Sequence, residues 1–492
     1  MTLAAPQLRE VEGVRPLTVR QQEIRAHFDR IAGERDAWLA RNRFFYDGDR
    51  AYMRFLIPPG RSVLEIGCGS GDLLRVLQPA RGVGIDISGE MIRIAAERHP
   101  DFEFHVGNGE DPAILDRISG TFDFIVLSDT IGYIEDCEAA FAALRRLCTP
   151  RTRLIIAYYS RLWEPVLSLG DRLGMKMPSL PQNWLSTDDT INLLTLSGFE
   201  VIRREWRQLV PKRWLGLGSL INRYLGPLPG IRRLSLRSYV VARPVMARGP
   251  SAPQPSCTVL IPCRNERGNI ENAVRRLPDF GNDLEILFVE GHSRDGTYEE
   301  CLRVRDAYPQ RHIRVMRQPG KGKGDAVRAG FAEAQGDILM ILDADLTVPP
   351  EAMPKFYNAL VAGHGEFVNG TRLVYPMEDR AMRRLNFIAN RNFAVIFSYL
   401  LNQRFTDTLC GTKALWRRDY EQIVANRVYF GDFDPFGDFD LIFGAAKLNL
   451  KLIELPIRYS DRAYGETQIS RFQHGWLLIR MVGFAWRKLK AL

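Results

Sequence analysis

Four prolines stand in the fourteen residues from Arg243 to Ser256, and no strand or helix runs through such a stretch, because proline lacks the amide hydrogen and fixes φ. The 492-residue chain is thereby cut into two parts, each long enough to bury its own core. The expected organisation is a domain over 1–243, a linker over 244–256, a second domain over 257–470 and a basic closing segment over 471–492. On both sides of the linker, short β-branched runs ending in Gly, Asp or Asn alternate with longer amphipathic segments. That rhythm predicts two α/β domains, each a largely parallel sheet covered by helices. A composition of 46% hydrophobic and 25% charged residues excludes a disordered or collagen-like chain.

The formal charge of +9 is unevenly spread. Residues 201–250 hold eleven basic side chains against the single acid Glu205, interleaved with Trp206 and Trp214, which suits an anionic membrane surface, a nucleic acid or a solvated basic face. The seven cysteines are scattered and form no Cys-x-x-Cys pair, so neither a zinc site nor a disulfide framework is indicated and a cytoplasmic setting is expected. Met1 to Glu10 lacks a basic-then-apolar signal pattern, and the longest apolar run, Phe393 to Leu401, is far shorter than a spanning helix requires. The acid-free, tryptophan-containing stretch 471–490 is expected to form an interfacial helix, with Phe387 to Leu401 as a second candidate.

In the first part, Ser62-Val-Leu-Glu-Ile-Gly-Cys-Gly-Ser-Gly71 predicts a strand entering a glycine turn, followed by a helix from about Asp72 to Leu77. Glycines at such a turn let a ligand approach the backbone. The dinucleotide fingerprint would place its third glycine where Asp72 stands, which disfavours a nicotinamide cofactor. A second strand ends at Asp86, where a carboxylate can accept ribose hydroxyls, and Val106-Gly-Asn-Gly-Glu110 and Phe122 to Asp129 follow at the same sheet edge. This set, over about residues 20–243, resembles the class I S-adenosylmethionine-dependent methyltransferases. The resemblance implies a Rossmann-like fold with S-adenosyl-L-methionine as cofactor. It implies further that Glu65, Gly67, Gly69 and Gly71 line the methionine moiety, Asp86 holds the ribose, and Asn108 with Gly109 flanks the adenine. Asp129, Tyr133 and Tyr159 lie near the predicted carboxyl ends of strands and Tyr46 reads as a lid or a core residue, each with a structural reading beside the functional one, and no methyl-transfer base is assigned.

In the second part, Cys257 to Cys263 predicts a strand leading into Pro262-x-x-Asn265-Glu266, and Leu284 to Glu290 a strand leading into Gly-His-Ser-Arg-Asp-Gly-Thr297. Gly320-Lys-Gly-Lys-Gly-Asp325 opens a helix, and the buried run from Asp337 ends in Asp343-Ala-Asp345. Two carboxylates at a strand end offer hard oxygens to a divalent ion bridging a diphosphate. With Asn369 to Arg372, Asp407 to Leu415 and Asp461 to Thr467, the set resembles the family 2 glycosyltransferases of GT-A fold, and more narrowly the dolichol-phosphate mannosyltransferase group, over about residues 256–470. The resemblance implies that Pro262, Asn265 and Glu266 shape the nucleotide pocket and that Glu290 meets the base. It places Lys323 at the diphosphate, Asp343 and Asp345 on Mg2+ or Mn2+, and Arg372 and Arg462 at an acceptor phosphate. Glu290 replaces the usual first Asp of the second motif, and Gln468 replaces a lysine. Asp438 and Asp440 lie where relatives with hydroxyl acceptors place a catalytic base, and either also reads as an acidic helix cap.

The expectation from sequence is therefore a bifunctional methyltransferase and inverting glycosyltransferase. Its partners would be a nucleotide-sugar donor and a lipid-phosphate acceptor, with docking on the cytoplasmic face of a membrane. The alternatives are a soluble enzyme acting on a glycan hydroxyl, with the methyltransferase decorating the same glycan, and an N-terminal S-adenosylmethionine-binding module without catalysis. A nucleic-acid partner is disfavoured, since no Asn/Asp-Pro-Pro-Tyr type element serves a flipped base.

Overall fold

The computed structural model describes residues 15–246, 253–374, 384–429, 439–459, 464 and 471–492, with side chains except those of 384–391 and 471–475. The chain forms two compact units, Met1–Val245 and Met246–Leu492.

The first unit is built on strands β1 (Ser62–Ile66), β2 (Arg81–Asp86), β3 (Glu103–Val106), β4 (Phe122–Ser128), β5 (Cys148–Tyr159), β6 (Phe199–Arg207) and β7 (Arg237–Pro244). They lie in the order β3-β2-β1-β4-β5-β7-β6. β7 alone is reversed, pairing antiparallel with β5 and β6. Val63, Leu64, Ile125, Val126, Leu154 and Ile155 are wholly buried, as expected of central strands covered on both faces. Removing each such side chain from water contributes roughly 1.5–3 kcal/mol. The order reverses between β1 and β4, and a crevice opens outside their carboxyl ends, the usual ligand position of such sheets.

The second unit carries β8 (Cys257–Cys263), β9 (Leu284–Glu290), β10 (His312–Arg317), β11 (Ile338–Ile341), β12 (Phe367–Thr371), β13 (Lys413–Trp416) and β14 (Leu452–Pro456). Their order is β10-β9-β8-β11-β13-β12-β14, with β13 antiparallel to β11 and β12. The switch here falls between β8 and β11. The expected Rossmann-like methyltransferase fold and GT-A fold are both present.

All seven cysteines are buried and unbridged. Among the described residues, no helix is long and apolar enough to cross a membrane.

Two sequence expectations change on folding. The basic stretch 201–250 is not one face. Arg203 lies over the Phe55 ring and Arg207 over the Tyr52 ring, at 5.7 and 4.3 Å, Arg237 is fully buried, and Arg243 pairs with Glu200 at 2.9 Å. These four lie packed or paired within β6 and β7, while among the described residues Arg204 and the stretch 211–234 remain open. The closing segment does form a helix, Arg471–Leu489, but Leu478, Met481, Ala485 and Leu489 are buried while Trp476 and Ile479 are exposed. Period-3.6 patterning in this helix thus marks a face docked on its own domain as well as an open one. The helix Arg384–Leu401 likewise buries Ala394, Phe397 and Leu400 and exposes Val395.

Candidate functional sites

The crevice of the first sheet is a cavity of about 230 Å3. Glu65, Gly67, Gly69, Asp86, Asn108 and Gly109 all line it. Gly67 is in the left-handed region at φ +73°, and a Cβ there would stand 2.4 Å from Thr130 Oγ1, so only glycine serves. Gly69 N donates to Asp86 Oδ2 at 2.8 Å and Ser88 N to Asp86 Oδ1 at 2.9 Å, which ties the glycine turn to the end of β2. Asn108 Oδ1 accepts from Glu110 N at 3.0 Å and fixes the turn after β3. Gly71 is the N-cap of the helix Asp72–Leu77, at φ +76°, where a Cβ would meet Phe104 and His99; its requirement is backbone conformation together with packing.

Glu65 is 3% exposed and its Oε2 has no hydrogen-bond partner. Burial holds its carboxyl well above the ordinary range, and Arg35 opposes the shift. Arg35 also lines the cavity, packs against the Gly69 turn, and has a buried, unpartnered Nε. A cation and an acid in one cavity, each with a buried polar atom that lacks a hydrogen-bond partner, suit a zwitterionic ligand. Sequence reasoning missed Arg35, because nothing local marks a helix arginine that reaches a loop 34 positions later.

The cavity is also lined by Tyr46, Asp129, Tyr133, Tyr159, Lys176 and Gln182. Asp129 has φ +61° directly after β4. It pairs with Arg237, which also donates to Asp49 Oδ1 and Ser128 Oγ, both at 2.9 Å. Asp49 accepts from Tyr239 as well, so one buried arginine joins the helix Arg43–Leu56 to β4 and β7. Burial raises the phenols of Tyr133, to about 12, and of Tyr159; neither is ionised at neutral pH.

In the second unit the loops after β8 and β9 are zipped together. Asn265 N donates to Ser293 Oγ, Arg294 N to Asn265 Oδ1, and Glu266 N to Thr297 Oγ1, at 2.9, 2.9 and 3.0 Å. Glu266 accepts from Asn269 Nδ2 at 2.7 Å. Glu290 is buried and accepts from Ser293 N, so one of its oxygens shapes its own loop. Pro262, within β8, pairs in register with Val289. Asn265, His292 and Leu346 have positive φ just beyond β8, β9 and β11, and left-handed non-glycine residues of this kind cluster at functional sites.

Asp343 and Asp345 follow β11. Lys323 Nζ lies 2.6 Å from Asp343 Oδ1, while Asp345 Oδ1 accepts from Thr347 N and Oγ1 at 3.2 and 2.9 Å. Burial would raise the Asp343 carboxyl, but Lys323, Lys413 and Arg372 hold it below its ordinary value. Lys413 is fully buried, its ammonium donating to the Cys410 carbonyl. Arg372 is locked to the buried Asp407 by two bonds of 2.7 Å and lies 5.0 Å from the Tyr459 ring. Burial opposes its charge, and Asp407 more than offsets this. Gly411 is pressed against the pair: a Cβ there would stand 2.0 Å from Asp343 Oδ2 and 2.4 Å from Lys323 Nζ. The sequence motif containing Gly411 and Lys413 was legible, but their closeness to Asp343 was not.

Among the described residues no group of three or more potential metal ligands occurs. The two carboxylates still fit a hard divalent ion, because both are oxygen donors and an ammonium already sits where a cation would bind Asp343. Asp440 lies in the first turn of the helix Phe439–Lys447 and accepts from Arg427 Nε at 2.9 Å. Asp438 and Arg462 lie outside the described residues.

Known proteins share both halves. The methyltransferase domain model matches residues 39–204, and the glycosyl transferase family 2 model matches residues 258–424. A dolichol-phosphate mannosyltransferase of Pyrococcus furiosus is 39% identical over 216 residues, covering 43% of this chain; the chain spans 58% of that relative's length. Similar solved structures include an S-adenosylmethionine-dependent methyltransferase of Thermotoga maritima, at 19% identity and a TM-score of 0.35, covering 45% of this chain and 99% of that one. Another is glucosyl-3-phosphoglycerate synthase of Mycobacterium tuberculosis with Mn2+ and uridine diphosphate, at 17% identity and a TM-score of 0.35, covering 48% and 80%. The chain therefore joins a methyltransferase domain to a family 2 glycosyl transferase domain.

Proposed function

We propose that the chain is a bifunctional transferase with the domain limits expected from its sequence. The first half transfers a methyl group from S-adenosylmethionine. The second transfers a sugar, with inversion, from a nucleotide sugar to a polyprenyl-phosphate-like acceptor, and works beside a membrane surface.

S-adenosylmethionine, when bound, supplies an electrophilic methyl on a sulfonium. The unpartnered Glu65 Oε2 would receive its ammonium, Arg35 its carboxylate, Asp86 its ribose, and the Asn108-Gly109 turn its adenine. Closing that cavity around donor and acceptor holds the nucleophile in line, which is most of what methyl transfer requires.

In the second half, an acceptor phosphate oxygen would attack the anomeric carbon as the bond to the nucleotide diphosphate breaks, the diphosphate leaving with the electron pair. A single displacement inverts the centre. A divalent ion held by Asp343 and Asp345 would neutralise charge on the diphosphate. Lys323 would exchange Asp343 for the diphosphate oxygens.

The observation that carries the reading is Lys323 set on Asp343 at 2.6 Å beside Asp345, an ammonium poised for a diphosphate next to two carboxylates that suit a divalent ion. An acceptor already anionic needs no base, whereas a hydroxyl acceptor must lose a proton to a carboxylate. Asp440 is already paired with Arg427 at 2.9 Å.

The test is transfer of label from radiolabelled nucleotide sugars, with magnesium or manganese, into polyprenyl phosphate. The control is Asp343→Asn with Asp345→Asn. Label in the organic phase that disappears in the control is expected. Hydrolysis of the nucleotide sugar without lipid labelling would overturn the lipid-phosphate acceptor in favour of a glycan hydroxyl, with Asp438 or Asp440 as base.

A further inference from the structure

A helix on a folded domain normally turns its apolar stripe inward. The helix Glu164–Arg172 does not, since none of its residues is buried. Leu162, Val166, Leu169 and Leu173 follow one another at spacings of four, three and four, which places them on one helical face, and each is more than half exposed. The segment 214–225 repeats the pattern: Trp214, Leu215, Leu217 and Leu220 are also more than half exposed. Trp214 and Leu215 are consecutive residues at positive φ, a conformation that non-glycine residues adopt at a cost, and here it holds two large apolar groups in the open. The two stretches 162–175 and 214–234 together hold twelve of the twenty-five exposed large apolar side chains among the described residues. They meet where Trp163 Nε1 donates to the Leu234 carbonyl at 2.8 Å.

Charge decides what such a surface fits. Residues 211–234 contain two lysine or arginine pairs, Lys212-Arg213 and Arg232-Arg233, together with Arg223, and no acid. Arg213, Arg223 and Arg233 are exposed among the leucines. A second copy of the chain would set this acid-free cationic segment against itself in a self-complementary dimer. A nucleic acid would engage the cations and leave the leucines wet.

We propose that this face of the methyltransferase domain docks on an anionic lipid bilayer, and that the methyl acceptor is a lipid-anchored molecule whose polar end enters the cavity from that side. The second clause rests on the methyl-transfer reading above. The link is covalent and short: the chain leaves the helix at Leu173, and Lys176, Met177, Pro178, Ser179 and Gln182 line the cavity. Asp171, in the last turn of the helix, accepts from Ser179 Oγ at 2.8 Å and lies 3.4 Å from Lys176 Nζ. A bilayer touching this helix therefore lies beside one wall of the cavity.

The test is flotation of the full chain with phosphatidylcholine vesicles, with and without phosphatidylglycerol. Wild type is compared with Leu169→Glu plus Leu173→Glu, Trp214→Glu plus Leu215→Glu, and, in the other domain, Trp476→Glu. All four positions in the first domain are exposed, and S-adenosylmethionine affinity reports that its fold is kept. Wild type is expected to float with anionic vesicles, and each double variant to partition about tenfold less. Equal flotation of wild type and both double variants, or loss only with Trp476→Glu, would overturn the proposal. So would a salt-insensitive dimer of wild type that the double variants dissolve without any change in flotation. Loss of S-adenosylmethionine binding by wild type itself would sink the methyl-transfer reading and leave the docking result standing.

Discussion

Lys323→Gln separates the two cations that compete for Asp343. In the structure the lysine ammonium lies 2.6 Å from Asp343 Oδ1, with side-chain exposures of 30% and 27%. A hydrogen bond between charged groups is worth about 1.5–3 kcal/mol when sheltered. Partial exposure of both partners reduces that to about 1 kcal/mol. A divalent ion binding without nucleotide must displace the ammonium from Asp343, so removing the lysine should strengthen Mn2+ binding by about fivefold. Lys413 and Arg372 remain, so two of the three cations that lower the Asp343 carboxyl persist in the variant. The same substitution should weaken binding of a nucleoside diphosphate, because the released ammonium is what its oxygens would meet. Titration calorimetry, or the electron paramagnetic signal of free Mn2+, reads the first effect directly and needs no turnover. Unchanged or weaker Mn2+ binding in Lys323→Gln would show that the lysine does not stand in a metal position.

Gly411→Ala should act in the opposite sense, since its Cβ would meet Asp343 Oδ2 at 2.0 Å; displacing that carboxylate should weaken Mn2+ binding, with an overpacking cost of about 1–3 kcal/mol in the unfolding of the second unit. Asp407→Asn leaves Arg372 buried beside a neutral partner and should destabilise that unit by about 3–5 kcal/mol in urea titration; a change below about 1 kcal/mol would contradict a structural ion pair. Glu65 gives a pH signature of two signs. Because burial raises its carboxyl, the unliganded first unit should lose stability as pH rises through the window above the ordinary Glu range, while S-adenosylmethionine affinity rises through the same window as the carboxylate forms; Glu65→Gln should flatten both profiles.

Much of this was legible because it is local. A strand entering a glycine turn, an acid at the end of the next strand, and Asp343-Ala-Asp345 after an apolar run are short-range patterns with a direct backbone cause, and the fold places all of them at the carboxyl edges of the two sheets. Gly71 shows the limit of such reading: it shares the motif and the left-handed φ with Gly67 and Gly69, yet it is not among the residues lining the cavity and its neighbours are Phe104 and His99.

The sequence by itself determined the two α/β halves, the break between them and the strand ends where chemistry gathers, since periodicity, proline and glycine act through the few residues around them. Only the tertiary structure decided which charges are available. It buried Arg237 between two aspartates, locked Arg372 to Asp407, set Lys323 on Asp343, brought Arg35 to the Gly69 turn, and divided one basic stretch into sheet arginines and an open apolar face. The reason is physical: the state of a charge depends on the groups that surround it in space, and those groups come from strands and helices far apart in the chain.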